Sequence, residues 1–343
     1  MTESHSPVTH EVVGSSPVVP ASDPQTASQD WPEKVGVRKP NFFIVGAPRC
    51  GTTSLWGYLQ GHPEIYMPAQ KELYFFDADL WGSEAWAPSL EQYLGFFSAA
   101  GGQKRIGEAT PSYLRSKLAP KAIKTFSPGA QIIIMLRNPV DVMYSLHSQG
   151  LRYNTEPITD FETALEADGR RRGRELLGYR ESTNFPQQVQ RYFDRFGREN
   201  VHTIIYDDLK KNSAAVCQNT LRFLGVRLDF ASEFPLMNSN KQARNARLQA
   251  MLLQPRALRE ISRALVPHKV RARIRRSLSN ANRVVRPRPP MDTELRRRLQ
   301  KEFEPKVERL SRLLGRDLSG WCKESNGESA RQDDREQQGT APS

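Results

Sequence analysis

The sequence predicts an α/β protein of three layers, in which helices flank a central parallel β-sheet. Short apolar runs at 42–45, 132–136 and 201–206 have the length and composition of buried strands. Each run is followed by an amphipathic stretch long enough for a helix. This alternation is typical of parallel sheets, because consecutive parallel strands need a crossover and are covered by the crossover helices on both faces.

The helices that cover the sheet are predicted from apolar periodicity and from end signals. We expect helices at 53–61, 139–149, 184–197, 213–224 and 292–314. The last of these follows a Pro-Pro-Met-Asp entry. Its Asp292 is the expected N-cap, because a short acidic side chain accepts hydrogen bonds from first-turn amides.

The two ends of the chain differ in composition from its middle. Residues 1–38 are rich in Ser, Pro and Thr, and residues 323–343 are rich in Gln, Ser and acidic residues. Segments with so few large apolar residues cannot bury a core, so we predict two disordered tails around one domain at 39–322. No apolar run reaches the length of a membrane span, and no signal-peptide pattern is seen.

The cysteine content and the net charge limit which cellular compartment and which binding partners are expected. Three scattered cysteines are too few for a disulfide framework and lack metal-ligand spacing, so we expect a cytoplasmic protein without a metal. The formal charge of +12 suggests a polyanionic partner or an anionic substrate.

Segment 269–298 has eleven Lys and Arg residues but no interleaved aromatic residue. We therefore favour a solvated surface over a nucleic-acid site, with peripheral membrane contact left open.

A loop with two glycines follows the first predicted strand. It runs Gly46-Ala-Pro-Arg-Cys-Gly-Thr-Thr-Ser54 and leads directly into a helical pattern. In a strand, loop and helix of this kind, backbone N–H groups and the positive helix end converge on one point and bind an anion. The residues predicted to contact a bound phosphate are Arg49, Cys50, Gly51, Thr52, Thr53 and Ser54.

The loop departs from the Walker pattern in one respect. Both glycines and Thr53 match, but Thr52 occupies the lysine position and the cation, Arg49, lies inside the loop. An enzyme that uses a nucleoside triphosphate needs that lysine at the β- and γ-phosphates. A loop that binds one phosphosulfate needs a cation nearer the bridging oxygen.

A second candidate phosphate site follows the strand at 131–136. Arg137 comes directly after it, and the next predicted helix brings Ser145 eight residues further on. An arginine at the carboxyl end of a parallel strand can bind a phosphate through two hydrogen bonds, and the serine hydroxyl adds a donor. Two anion sites on neighbouring strand ends indicate a ligand with two separate phosphates.

The first loop resembles the 5′-phosphosulfate loop of the PAPS-dependent sulfotransferase family, and Arg137 with Ser145 resembles that family's 3′-phosphate signature. The resemblance covers about 40–321. It implies a P-loop-type fold and the donor 3′-phosphoadenosine 5′-phosphosulfate (PAPS), with no metal. A polar loop at 238–245 is similar to the segment that closes over the donor, which makes Lys241 and Arg244 further candidates for the 3′-phosphate.

The segment Lys71-Glu-Leu-Tyr-Phe-Phe76 resembles an element of the branch that includes heparan sulfate sulfotransferases and bacterial homologues. In that branch the glutamate is the catalytic base, so the resemblance assigns Glu72 that role. Arg49 would stabilise charge on the leaving oxygen. Lys71 could keep Glu72 ionised or contact the sulfuryl oxygens, but for Lys71, unlike Glu72, we favour the simpler role of a solvated ion pair. His62 is expected to be a helix-end residue and not a rival base.

Gly107-Glu-Ala-Thr-Pro-Ser-Tyr113 resembles a further family element that carries a lysine where this chain has Ala109. Either Lys71 or Arg49 supplies the missing cation, or the site is tuned differently from that of the family. Glu108 either orients the acceptor or has a structural role.

The expected acceptor is a hydroxyl of a carbohydrate, ahead of a lipid or another alcohol. Two alternatives remain open. One is a P-loop nucleotide kinase, with Asp207 and Asp208 near a Mg²⁺ ion. The other is a non-catalytic anion-binding protein that works through 269–298.

Overall fold

The computed structural model describes residues 38–80, 88–153, 155–168, 178–229, 241–243, 283–285 and 289–323. For 241–243 and 283–285 it describes the backbone alone. Except for Arg38 and Lys323, the predicted tails lie outside the described residues, and so does Arg244.

A parallel sheet of five strands forms the centre of the domain. The strands are β1 (Phe42–Gly46), β2 (Ile65–Tyr66), β3 (Arg105–Ala109), β4 (Gln131–Leu136) and β5 (Val201–Ile205). Their order across the sheet is β2-β3-β1-β4-β5, and every neighbouring pair is parallel. The strand β1 is buried along its whole length because both of its faces are covered, and it therefore consists almost entirely of apolar residues. The predicted α/β fold with a central parallel sheet is confirmed.

Helices flank this sheet. They are α1 (Thr52–Gln60), α2 (Leu90–Gly95), α3 (Ala119–Phe126), α4 (Pro139–Tyr153), α5 (Phe161–Glu166), α6 (Tyr179–Ser182), α7 (Phe185–Phe196), α8 (Tyr206–Lys211), α9 (Ser213–Leu224) and α10 (Thr293–Leu314). The five predicted helices are all present, with α4 extending beyond its predicted end. A short antiparallel pair, β6 (Lys241–Ala243) with β7 (Arg283–Val285), lies outside the main sheet.

The strand order places a ligand crevice beside β1. The chain moves from β1 to β2 and β3 on one side, and then crosses to β4 and β5 on the other side. In open parallel sheets, ligands bind at the carboxyl ends of the strands where the order reverses in this way. The loop after β1 and the Arg137 that follows β4 therefore flank one crevice.

The N-terminus of α10 provides a test of the fold. Asp292 Oδ1 accepts a hydrogen bond of 2.9 Å from the amide of Leu295, as expected for an N-cap. We predict that Asp292→Ala lowers the free energy of unfolding by about 1 kcal/mol, because a first-turn amide loses its acceptor. Urea denaturation measures the loss, and Asp292→Asn is the control that keeps the acceptor. Equal stability of the alanine and asparagine variants would contradict the assignment.

Candidate active site

Close packing explains both glycines of the loop after β1. A Cβ on Gly46 would lie 2.5 Å from the Cβ of Leu114, and a Cβ on Gly51 would lie 2.8 Å from Leu209 Cδ2. Gly51 also has a φ of 89°, a conformation that favours glycine. It is the N-cap of α1 and offers no side-chain cap, so the first amides of α1 remain available to an anion.

The side chains of the loop differ in access to the crevice. Cys50 is fully buried, and burial raises the pKa of its thiol to about 12. It therefore stays protonated, and a contact with a ligand would come from its backbone amide. Thr52 and Ser54 are also buried, whereas Thr53 is partly exposed.

Arg49 connects the two predicted phosphate sites. Its Nε donates a hydrogen bond of 2.8 Å to the Oγ of Ser145 on α4. Burial, together with the nearby positive charges of Arg152 and Arg137, lowers the pKa of Arg49. Like charges gathered in this way favour an anion between them. The two sites predicted separately are therefore neighbouring parts of one cationic crevice.

Arg137 is held by an aromatic ring and a carboxylate. Its guanidinium lies 4.8 Å from the ring centroid of Tyr206, and its Nη2 lies 3.7 Å from Asp141 Oδ2. Asp141 also pairs with Arg296 of α10 at 2.6 Å. These contacts orient Arg137 at the carboxyl end of β4 while its side chain stays partly exposed.

Glu72 reaches the phosphate loop through its neighbour. Lys71 Nζ donates to Glu72 Oε1 at 2.9 Å, and also to the hydroxyls of Thr52 at 3.4 Å and Thr53 at 3.2 Å. Tyr74 donates its hydroxyl to Glu72 Oε2 at 2.6 Å. The expectation of a solvated pair is wrong for Lys71, because its side chain is only 12% exposed and its ammonium is held against the loop.

The surroundings of Glu72 keep its carboxylate ionised. Burial alone would raise its pKa, but the charge of Lys71 and the hydrogen bonds from Tyr74 and Lys71 bring the pKa below its usual value. The side chain is still 41% exposed. Glu72 therefore combines a negative charge with access from the crevice, as a proton acceptor requires.

Three residues of this site also have an unusual backbone conformation. Within the described residues, positive φ at non-glycine positions occurs at Arg49 (65°), Glu72 (67°) and Tyr74 (53°). Sparsely populated conformations of this kind persist where surrounding contacts enforce them, and they cluster at functional sites. Tyr74 was not predicted as a site residue, and the aromatic composition of its segment gave no signal for its contact with Glu72.

Glu108 lies behind the crevice. Its carboxylate is 1% exposed and accepts hydrogen bonds from the hydroxyls of Tyr93, Thr110 and Tyr113. Burial raises its pKa to about 7. A side chain so enclosed does not reach an acceptor. Of the two roles expected for Glu108, the structural one therefore holds. Ala109 is buried as well, and the cation nearest to Glu72 is Lys71.

The residues that suggested a kinase have other partners. Asp207 Oδ2 accepts a hydrogen bond of 2.9 Å from Trp321 Nε1, and Asp208 is paired with Arg316. No cluster of metal-ligating side chains occurs in the described part of the chain. His62 is buried just beyond α1, where its Nε2 lies 3.0 Å from the carbonyl oxygen of Arg227, as expected for a helix-end residue.

The basic segment 269–298 and the loop 238–245, which is predicted to close over the donor, are described only in part. Arg296, Arg297 and Arg298 pair with Asp141, Glu294 and Glu162, respectively. Lys241 lies in β6 opposite Val285, with its backbone alone described, so its contact with a phosphate stays a prediction. None of the helices within the described ranges is both long and apolar enough to span a membrane.

Comparison with known proteins identifies relatives of this chain. The sulfotransferase domain family matches residues 39–314. The membrane-associated sulfotransferase kil1 of Dictyostelium discoideum is 35% identical over 126 residues, which cover 36% of this chain and 26% of that protein. The human bifunctional heparan sulfate N-deacetylase/N-sulfotransferase 3 is 26% identical over 203 residues, which cover 57% of this chain and 23% of that protein. The matches thus span about a quarter of the length of these relatives.

A solved structure agrees with the family match. The crystal structure of a sulfotransferase from Alicyclobacillus acidocaldarius has a TM-score of 0.65 and 28% sequence identity, covering 84% of this chain and all of that one. The match to the sulfotransferase domain includes most of the chain, with the loop after β1, Glu72 and Arg137. The chain therefore belongs to the sulfotransferase family.

Proposed function

We propose that the protein transfers a sulfuryl group from PAPS to a hydroxyl of an acceptor, with carbohydrate as the favoured acceptor class. The observation that carries this proposal is the hydrogen bond between Arg49 and Ser145, which makes one crevice of two anion sites. PAPS carries phosphates at both its 5′ and 3′ positions. An ordinary triphosphate would leave the second site without a partner.

The described residues fit such a donor. The amides at the start of α1 and the hydroxyl of Thr53 are suited to the 5′-phosphosulfate. Arg137 and Ser145 are suited to the 3′-phosphate, with Lys241 and Arg244 as further candidates. No metal is proposed, because cationic side chains and helix amides supply the positive charge.

Glu72 is the proposed general base. Bound PAPS would supply an activated sulfuryl group whose departure leaves adenosine 3′,5′-bisphosphate. Glu72 takes the proton of the acceptor hydroxyl while that oxygen forms its bond to sulfur, and the bond from sulfur to the bridging phosphate oxygen breaks. Arg49 and the loop amides stabilise the charge that develops on the leaving oxygen.

Lys71 is the proposed substitute for the family lysine that is absent at Ala109. Its ammonium lies between Glu72 Oε1 and the hydroxyls of Thr52 and Thr53. A cation at this point is close both to the proposed base and to the loop proposed to hold the phosphosulfate. Arg49, by contrast, donates a hydrogen bond to Ser145 and lies between the two proposed phosphate sites.

The acceptor class is inferred from relatives. The human relative is named for heparan sulfate, which supports a carbohydrate. Its name also specifies N-sulfation, so an acceptor screen should include amino sugars beside neutral sugars, lipids and simple alcohols. A cytoplasmic location, and contact of 269–298 with a membrane surface, remain predictions.

Removal of Arg137 should weaken binding of the 3′-phosphate. We predict that Arg137→Ala raises the Kd for adenosine 3′,5′-bisphosphate by about 10- to 100-fold, because a hydrogen bond to a charged group contributes about 1.5–3 kcal/mol. The Kd for adenosine 5′-monophosphate, which lacks the 3′-phosphate, should change little. Isothermal titration calorimetry measures both values.

Arg309→Ala is the matched control for this experiment, because Arg309 is an exposed residue of α10. It should leave both dissociation constants unchanged. Equal losses for the two nucleotides in Arg137→Ala would remove Arg137 from the 3′-phosphate site. Tight, Mg²⁺-dependent binding of ATP without any response to the bisphosphate would favour the kinase alternative instead.

Removal of the charge on Glu72 should abolish turnover while donor binding persists. We predict that Glu72→Gln lowers kcat by about 10²- to 10⁴-fold, the contribution typical of a general base. The Kd for adenosine 3′,5′-bisphosphate should stay unchanged. Turnover is measured by mass spectrometry of the sulfated product, with labelled PAPS and an acceptor identified by the screen.

Glu308→Gln is the control, because Glu308 is a 67% exposed residue of α10. Its turnover should equal that of the unmodified protein. Full activity of Glu72→Gln would eliminate Glu72 as the base. Loss of bisphosphate binding in Glu72→Gln would instead assign Glu72 to the architecture of the donor site.

A further inference from the structure

A buried carboxylate is connected to the loop that carries the proposed base. Glu108 lies in β3, at the end next to the crevice. Thr110 and Tyr113 donate their hydroxyls to the same oxygen of Glu108, Oε1, at 2.8 Å and 2.7 Å. Tyr93 donates its hydroxyl to the other oxygen, Oε2. The proposed mechanism does not use this cluster.

Two of these hydroxyls also accept hydrogen bonds from the base loop, residues 72–76. The amide of Leu73 donates to Thr110 Oγ1 at 3.0 Å, and the amide of Phe75 donates to the hydroxyl of Tyr113 at 3.0 Å. Glu72 itself donates its amide to the carbonyl oxygen of Ala109 at 2.9 Å. Three amides of the base loop are therefore fixed to the segment that contains Glu108.

The direction of these hydrogen bonds depends on Glu108. A hydroxyl has one proton to donate, and a carboxyl oxygen that carries no proton can only accept. Because Thr110 and Tyr113 donate their hydroxyl hydrogen bonds to Glu108, the lone pairs of both hydroxyl oxygens are left to accept from the amides of the base loop. Two hydroxyls thus connect one buried carboxylate to the base loop by hydrogen bonds, so the position of the loop depends on the position of Glu108.

The base loop needs such restraint. Glu72 and Tyr74 have φ values of 67° and 53°, a region that residues other than glycine seldom adopt. The fixed amides of Leu73 and Phe75 alternate with these two residues along the chain. Without the tethers, the loop would relax towards more populated conformations and move the Glu72 carboxylate.

We propose that Glu108 is a positioning residue, which acts through Thr110 and Tyr113 to hold the Glu72 carboxylate against Lys71 and the phosphate loop. The inference rests on the proposed function, because it deepens the role given there to Glu72. The role of Glu108 is to accept two hydrogen bonds at Oε1. The same atom of glutamine can do this, so the negative charge of Glu108 is not required.

Two tyrosines provide a matched pair for the test. Tyr113→Phe and Tyr93→Phe each remove one buried hydroxyl bonded to Glu108 and keep the aromatic ring. Only the hydroxyl of Tyr113 lies on a path to the base loop, through the amide of Phe75. Both variants should therefore lose comparable thermal stability, and only Tyr113→Phe should release the loop. Thr110→Val tests the second path, and Glu108→Gln tests whether a neutral acceptor is sufficient.

The first measurement is hydrogen–deuterium exchange of the peptide that covers 71–77. Exchange should accelerate in Tyr113→Phe and Thr110→Val but remain unchanged in Tyr93→Phe and Glu108→Gln. The second measurement is kcat with the acceptor from the screen. It should fall by about 10- to 100-fold in the first two variants, because a small displacement of a catalytic group has an effect of this size. The Kd for adenosine 3′,5′-bisphosphate should stay constant throughout.

Equal acceleration of exchange in Tyr93→Phe and Tyr113→Phe would overturn the inference, because general destabilisation would then explain both. Unchanged exchange in Tyr113→Phe and Thr110→Val would overturn it as well. So would a folded Glu108→Gln that loses as much turnover as Tyr113→Phe. Exchange is measured without any acceptor, so failure of the positioning role is distinguishable from failure of the proposed function, which would appear as absence of transfer by the unmodified protein.

Discussion

The contact of Lys71 with the phosphate loop is the interaction on which the proposed site depends. Its ammonium joins Glu72 to the hydroxyls of Thr52 and Thr53, so the proposed base and the anion-binding helix end become parts of one unit. Its charge also keeps Glu72 ionised despite partial burial. The structure thus places a cation in contact with Thr52, the residue that occupies the lysine position of the Walker pattern.

The strained backbone of the base loop and the buried cluster around Glu108 are consistent with this arrangement. Lys71 holds the Glu72 carboxylate while Glu72 and Tyr74 stay in their sparsely populated backbone conformations. Three hydrogen bonds from loop amides to the segment after β3 maintain that conformation. A polar network at the end of a central strand therefore supports a charge pair at the surface of the crevice.

The sequence predicted β1, β4, β5 and five of the ten helices of the described residues, because these buried strands and amphipathic helices have strong apolar periodicity. It did not predict β3, because Arg105-Ile-Gly-Glu-Ala109 has neither a continuous apolar run nor a regular alternation. Loop order and residue type were sufficient to nominate Arg49 and Arg137, whereas Glu72 was nominated through the resemblance of its segment to a family element. The contacts of Lys71 with Thr52 and Thr53, and of Tyr74 with Glu72, could not be predicted, because they depend on the positive φ values of Glu72 and Tyr74, which no residue type in the segment indicates.

The most direct test of the central claim is a crystal structure of the protein with adenosine 3′,5′-bisphosphate. We expect the 5′-phosphate at the amides of the loop after β1, within reach of Lys71. We expect the 3′-phosphate at Arg137 and Ser145, with Arg49 between the two phosphates. A bisphosphate bound elsewhere, or one whose 3′-phosphate points away from Arg137, would contradict the assignment of this crevice as a sulfuryl-donor site.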